Sequence, residues 1–350
     1  MQTTYSYMKF FEKMWEKEDR VYTFHAENRE EALIWQERFR GALWDLLGIS
    51  VLQKYASDRQ DTCGLPRLLE SVKEEGYLRY KYEMETLPDV WMPYYVLVPE
   101  QTNGEAILAL HAHGADKNTV CHVAETEAET AKIQKTPTEC YGEAFVRRGY
   151  VVFAPDLPGF GERQEKVSGE KGSLGCSCSD LAEIAEAFGF SMQALALWDL
   201  MHLLDVAEKW PDVKKIGCAG FSGGGMYTMW LAAMDKRIDF AVISGYIHSF
   251  GDSILRCHRC ACNFAPQLWQ LCDISDICGL IAPRPLYAEN GKQDRQNGRW
   301  GVDGPREEFE KVRRIYQIFQ AENQLCYKNP EGMHQWYGEC VEFMDQEELL

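Results

Sequence analysis

No stretch of the 350-residue chain approaches the roughly 20 consecutive apolar residues of a membrane-crossing helix. The first 20 residues, "MQTTYSYMKFFEKMWEKEDR", carry charges every few positions and no apolar run of the kind a signal peptide has. The expectation is a soluble, cytoplasmic protein. Cations are scarce: 37 Lys and Arg face 54 Asp and Glu, a net charge of −17. Nucleic-acid binding needs clustered Lys and Arg, and an anionic membrane surface attracts the same clusters, so neither partner is expected. There is no internal repeat, low-complexity tract or Ser/Pro-rich linker, which excludes arrays and strings of tethered modules. Apolar residues are not scarce. At 45% of the chain, with 16 Phe, 17 Tyr and 10 Trp, they suffice for a sizeable core.

Cysteine is plentiful, at 13 residues, but scattered and odd in number with no secretory signal, so reduced thiols are expected. The exception is "CHRCAC", where Cys257, His258, Cys260 and Cys262 fall within six residues. A zinc site usually draws on two separated ligand pairs. The other close pair, Cys176 and Cys178, is separated from Cys257 by 78 residues. On sequence alone the cluster reads as buried or loop thiols, and neither a metal nor a cofactor is expected.

Residues 5–60 carry apolar positions at three-to-four spacing and read as a helical extension, with Gly48 as a stop. The remainder, 61–350, reads as one catalytic domain. It opens with two alternating strands, "GYLRYKYEME" and "WMPYYVLVPE". From residue 106 short apolar runs (106–114, 150–159, 214–222, 240–247, 284–291 and 323–332) alternate with helical patterns (139–148, 191–209, 223–235 and 305–321). That alternation implies an α/β fold, a mostly parallel sheet covered by helices on both faces, with its site at the carboxyl ends of the strands. Two long connections, 164–190 and 249–280, break the alternation and read as insertions that build a lid or pocket.

"GFSGGG" (220–225) matches the G-x-S-x-G elbow, which presents a serine on a strained strand-to-helix turn. The motif is short, but the flanks fit: "KKIGCAG" is a buried-strand pattern and "GGMYTMWLAAM" an apolar helical one. No "GK[ST]" follows, so a phosphate loop is excluded. Ser222 is therefore the candidate nucleophile. A serine needs a base, and His334 in "NPEGMHQW" follows the last strand. His248 and His258 come too early for the order nucleophile, acid, base, and read as insertion residues. The acid belongs after the penultimate strand, where "RPLYAENGKQDRQNG" offers Asp294 and Glu289, with Asp303 in "GVDG" a third candidate. Asp294 lies a short loop beyond the strand, from which its carboxylate can reach back to the imidazole. The helix start at Gly223, and "LALHAHGAD" after the first core strand, would supply two oxyanion donors, the N–H groups of Gly223 and of His113 or a neighbour within 112–115.

With these residues in place, the chain resembles α/β-hydrolases of the acetyl xylan esterase and dienelactone hydrolase-like group. The matching stretches are "LHAHGADK", "APDLPGFGER", "CNFAPQLWQLCDISDICGLIAPRPLYAENGKQD" and "GMHQW". The group's order of nucleophile, acid and base maps onto Ser222, Asp294 and His334. Where the group commonly shows D-x-x-F-P after the acid, this chain reads "DRQNG". Serine at the elbow departs from true dienelactone hydrolases, which use cysteine. The resemblance implies a serine esterase for small acyl groups, such as acetyl on a sugar or other natural product. Two alternatives remain open: a peptidase or amidase with the same triad, and a catalytically inactive binding protein. The first 60 residues lie outside the strongest resemblance and read as an interface between copies or as part of a lid. An acidic entrance would favour cationic or neutral substrates.

Overall fold

A computed structural model describes residues 5, 7–16, 20–56, 65–167, 169, 171–172, 174–257 and 259–344. Nine strands form one sheet: β1 (Arg67–Glu74), β2 (Tyr77–Leu87), β3 (Val90–Pro99), β4 (Glu105–Leu110), β5 (Val151–Pro155), β6 (Lys215–Phe221), β7 (Phe240–Ser244), β8 (Leu286–Glu289) and β9 (Leu325–Lys328). Their order is β1-β2-β3-β5-β4-β6-β7-β8-β9. The first three form an antiparallel meander that joins β5 antiparallel, and from β5 to β9 every neighbour is parallel. The central strands read as continuous apolar runs because both faces are covered: Leu108 and Leu110 enter one core, Ile107 and Ala109 the other. The order reverses at β4, which is flanked by β5 and β6, so the crevice between the carboxyl ends of β4 and β6 is the natural site.

The six apolar runs are the six strands β4 to β9. The helical patterns are Tyr141–Val146, Met192–Ala207, Gly223–Met234 and Asp303–Ile318. Every residue of Gly223–Met234 is buried, so the helix is apolar all round rather than striped. Strand β1 escapes the sequence reading because "RLLESVKE" is largely exposed and lacks an apolar face. The segment 164–190 contains a helix, Cys178–Phe188, and 249–280 winds through short turns that include Leu268–Leu271 and Ile274–Gly279.

Within the first 60 residues, helices span Met8–Trp15, Arg29–Leu47 and Ile49–Ala56; residues 57–60 lie outside the described residues. Asn28 caps the second through its side chain. Gly48, at φ 79°, ends it, but a new helix starts at the next residue. This second helix is built into the main core through Ala32, Phe39, Leu43 and Leu47, all with 0% exposure. Its Arg40 donates to the carbonyls of Ala233 (2.8 Å) and Leu280 (2.5 Å). Arg284 donates to Ala232 O (2.5 Å) and Ile238 O (2.6 Å). Two guanidinium groups thus satisfy the carbonyl end of the helix that Gly223 opens, where cations also complement the helix dipole. No helix among the described residues is long and apolar enough to cross a membrane.

Arg40→Met leaves the Ala233 carbonyl without this donor and the Leu280 carbonyl with the longer 3.4 Å bond from Arg284, and should cost about 1–3 kcal/mol of stability in urea unfolding. Arg38→Met on the exposed face of the same helix should change it by less than about 0.5 kcal/mol. Equal effects of the two would refute this role for Arg40.

Candidate active site

Ser222 sits between β6 and the helix Gly223–Met234 at φ 54°, ψ −112°, a left-handed conformation that a non-glycine residue adopts only under strain. The turn is this tight because of its glycines. A Cβ on Gly220 would collide with the Gly224 backbone, and one on Gly224 with the Leu110 carbonyl at the end of β4. The Ser222 N–H donates to Ser244 O at the end of β7 (2.9 Å), which pins the turn to the neighbouring strand.

The Ser222 Oγ lies 2.8 Å from His334 Nε2, and His334 Nδ1 lies 2.6 Å from Asp294 Oδ2. A carboxylate only accepts, so Nδ1 carries the proton and leaves Nε2 as acceptor for the serine hydroxyl. The Asp294 side chain is 1% exposed and that of His334 21%. The "DRQNG" stretch forms a single tight turn, Arg295–Asn297, which Asp294 caps by accepting the Gln296 N–H at Oδ1 (2.7 Å). One carboxylate oxygen holds the loop and the other holds the histidine.

Glu289 does not reach the imidazole. As the last residue of β8 it faces inward, accepting from Ser244 Oγ (2.7 Å), Tyr287 Oη (3.0 Å) and the Tyr337 N–H (3.0 Å). Burial pushes its carboxyl above the usual range, while those three donors oppose the shift. Its contact with Tyr337 suspends the His334 loop, which Trp336 also anchors by stacking on Tyr141 at 4.3 Å. Asp303 is exposed and pairs with Arg306 (3.2 Å), away from the triad.

Gly223 opens its helix, so its N–H has no intrahelical acceptor. A Cβ built on Gly223 would collide with the His113 ring and stand 3.4 Å from the His113 backbone nitrogen. Among the described residues nothing accepts from the His113 N–H. The two expected donors therefore face one small space beside Ser222. Below them the loop after β4 is locked to the loop after β5. Asp156 accepts from the Lys117 N–H (3.0 Å), Lys117 Nζ (2.9 Å) and the Glu162 N–H (3.0 Å). Burial alone would lower the Lys117 ammonium, but Asp156 and Glu162 outweigh it and hold it charged.

A cavity of about 330 Å³ opens on Ser222, Gly223 and His113, with Tyr246, Arg259, Asn263 and Gln296 among its walls. Its lining includes one Arg and no carboxylate, so the local charge is opposite to that expected from the whole chain. Arg259 is held by Ser253 Oγ (3.0 Å) and Gln296 O (3.0 Å) and by the Gln296 side chain. No motif in the sequence marks Arg259 or Gln296, because the fold alone brings 249–263 over the elbow. A larger groove of about 530 Å³, between β3 and the Arg163 turn, contains neither a serine nor a histidine. Ser222 lines the smaller cavity.

His248 is fully buried, and burial, reinforced by Arg259 and His334, drives it well below its usual value. His258 lies outside the described residues. His111 is fixed as a neutral tautomer: its Nε2 accepts the Leu157 N–H (3.0 Å) and its Nδ1–H donates to Ala112 O (3.0 Å). Burial pushes it down to about 4.

The strand order, the helix-covered sheet and the serine elbow after β6 define an α/β-hydrolase fold. The chain belongs to the Abhydrolase family, whose model matches residues 3–335. It is 30% identical over 219 residues to "Putative hydrolase YtaP" of Bacillus subtilis (strain 168), covering 60% of this chain and 68% of that protein. Among solved structures it resembles a "putative acetyl xylan esterase" from Bacteroides fragilis, with TM-score 0.74 at 19% identity over 93% of this chain and 83% of that one. It also resembles a glucuronoyl esterase from Solibacter usitatus, with TM-score 0.63 at 12% identity over 93% and 95%. At such identities the likeness is one of fold.

A buried neutral histidine stabilises the fold fully above its ordinary value of 6.5 and progressively less as pH falls from there towards about 4, because the unfolded chain takes up the proton first. His111 alone should remove about 2 kcal/mol between pH 7.5 and pH 5. The urea midpoint of wild type should exceed that of His111→Gln by less at pH 5 than at pH 7.5, since carboxyls raised by burial, such as Asp116 and Glu308, act alike in both proteins; a pH-independent difference would contradict the assignment.

Proposed function

We propose that this protein is a serine carboxylic-ester hydrolase that works through an acyl-enzyme, with short acyl groups on a sugar or other natural product as its substrates. The observation that carries the reading is the unbroken hydrogen-bond chain from Asp294 through His334 to Ser222, with Ser222 held at positive φ on the elbow. His334 takes the Ser222 proton as Oγ attacks the ester carbonyl. The Asp294 carboxylate holds the imidazole in the productive tautomer and stabilises the imidazolium that forms. The N–H groups of Gly223 and His113 donate to the developing oxyanion, aided by the positive end of the helix. His334 returns the proton to the departing alcohol, then activates the water that releases the acid. The small, polar, carboxylate-free cavity suits a compact acyl group and a hydroxyl-rich alcohol. The acetyl xylan and glucuronoyl esterases among the structural relatives point to carbohydrate esters as the class to test first.

On p-nitrophenyl esters from acetyl to octanoyl, kcat/KM should fall steeply with chain length. Ser222→Ala should lose roughly 10⁴-fold or more in kcat with the fold intact. A folded, active Ser222→Ala would end the mechanism, and a flat chain-length profile would end the short-acyl assignment.

Asp294→Asn should lower kcat by about 10⁴-fold through the wrong tautomer. Glu289→Gln should act mainly on stability, leaving kcat within about tenfold. The reverse pattern would make Glu289 the acid.

A further inference from the structure

The "CHRCAC" cluster does not stand alone in the fold. The loop after β4 brings His113 to it, and the first turn of the helix Cys178–Phe188 brings Cys178. His113 Nε2 lies 3.1 Å from Cys262 Sγ, and Cys178 Sγ lies 3.1 Å from Cys260 Sγ. All four ligand atoms fall within 4.8 Å of one another. Among the described residues no other group of three or more His, Cys, Asp and Glu side chains is so placed.

We propose that His113, Cys178, Cys260 and Cys262 form a structural zinc site. Zinc prefers four thiolate and imidazole ligands in a tetrahedron, and Cys₃His is one of its recurrent closed sets. With bonds of about 2.3 Å to sulfur and 2.0 Å to nitrogen, the edges of such a shell are roughly 3.8 Å (S to S) and 3.5 Å (S to N). The observed contacts bracket those edges, so small side-chain rotations suffice to close the shell. Three protein features favour thiolates there. Cys178 opens an 11-residue helix, whose N-terminus stabilises negative charge. The Ser179 hydroxyl lies 3.1 Å from Cys260 Sγ, and Asn263 Nδ2 donates to Cys262 Sγ at 3.6 Å, supporting the ligands from outside. Gln193 Nε2 donates to Cys262 O (3.0 Å) and Asn263 Nδ2 to Cys260 O (3.1 Å), which fixes the ligand-bearing turn.

Binding releases the thiol protons as the three Zn–S bonds form, so occupancy rises with pH. Four protein ligands leave no open coordination position, and the ion braces rather than reacts. It adds a covalent-strength tie among three connections, those after β4, β5 and β7, in one wall of the cavity that opens on Ser222. The proposal does not rest on the esterase reading. Any ligand drawn to the elbow would meet the same wall.

The test is metal analysis of the full chain, expressed in zinc-supplemented medium and purified under reductant without chelator. Wild type should carry close to one zinc per chain. Cys260→Ser and Cys262→Ser should each lose most of it, while Cys257→Ser, at an exposed cysteine outside the four ligands, should retain it. Cobalt added to the stripped wild-type protein should give a thiolate charge-transfer band and the intense visible bands of a tetrahedral site. This wild-type readout stands even where a cysteine variant fails to fold. Less than about one zinc in ten wild-type chains together with a featureless cobalt spectrum would overturn the proposal. So would undiminished zinc in folded Cys260→Ser, or a Cys178–Cys260 disulfide in protein kept under reductant.

Discussion

The contact on which the site depends is between backbones: the helix that starts at Gly223 passes so close to the end of β4 that no Cβ fits at Gly224. That approach forces Ser222 into its left-handed turn and sets the loop after β4 against the first free N–H of the helix. Ser222 and the proposed oxyanion donors are thereby held by main chain, which has little freedom to drift. The other end of the same helix is held equally firmly, by Arg40 and Arg284 on its last carbonyls. The N-terminal segment contributes through Arg40 to the scaffold of the site without approaching the substrate cavity.

The side chains proposed as acid and base are held differently. Asp294 and His334 come from loops after β8 and β9, and each loop is tied by side chains: Asp294 caps its own turn, and Glu289 and Trp336 carry the histidine loop. The two candidate carboxylates therefore have complementary tasks. The more deeply embedded one positions backbone, and the one on the loop meets the imidazole.

Much of this was legible in the sequence because the relevant information is local. A buried-strand run, a glycine-flanked serine and an apolar helix are contiguous, and the parallel alternation fixes which ends of the strands converge. Ser222, Asp294, His334, Gly223 and His113 all follow from that logic, and the structure brings them together. Position relative to the strand favoured Asp294 over Glu289, although both lie within one short stretch. What separates them is that a side chain ending a strand is committed to one face of the sheet. Strand β1 was hidden because an edge strand with little burial needs no apolar alternation. The role of Arg259 and the convergence of His113 and Cys178 on the "CHRCAC" thiols were hidden for another reason. Cys178 and Cys260 are 82 residues apart along the chain, and only the packing of two connections over the elbow makes them neighbours.

The order of the strands also has a consequence for how the chain is made. Ser222 precedes His334 by 112 residues, and those residues contribute β7, β8 and β9, laid one after another onto the growing edge of the sheet. At about 5–20 residues per second, a ribosome takes on the order of ten seconds to cover that distance. Throughout that interval the strained elbow exists without its base, and a parallel edge strand waits unpaired. Under the proposed mechanism the emerging chain has no base for Ser222 until β9 has been added and the loop that follows it brings His334.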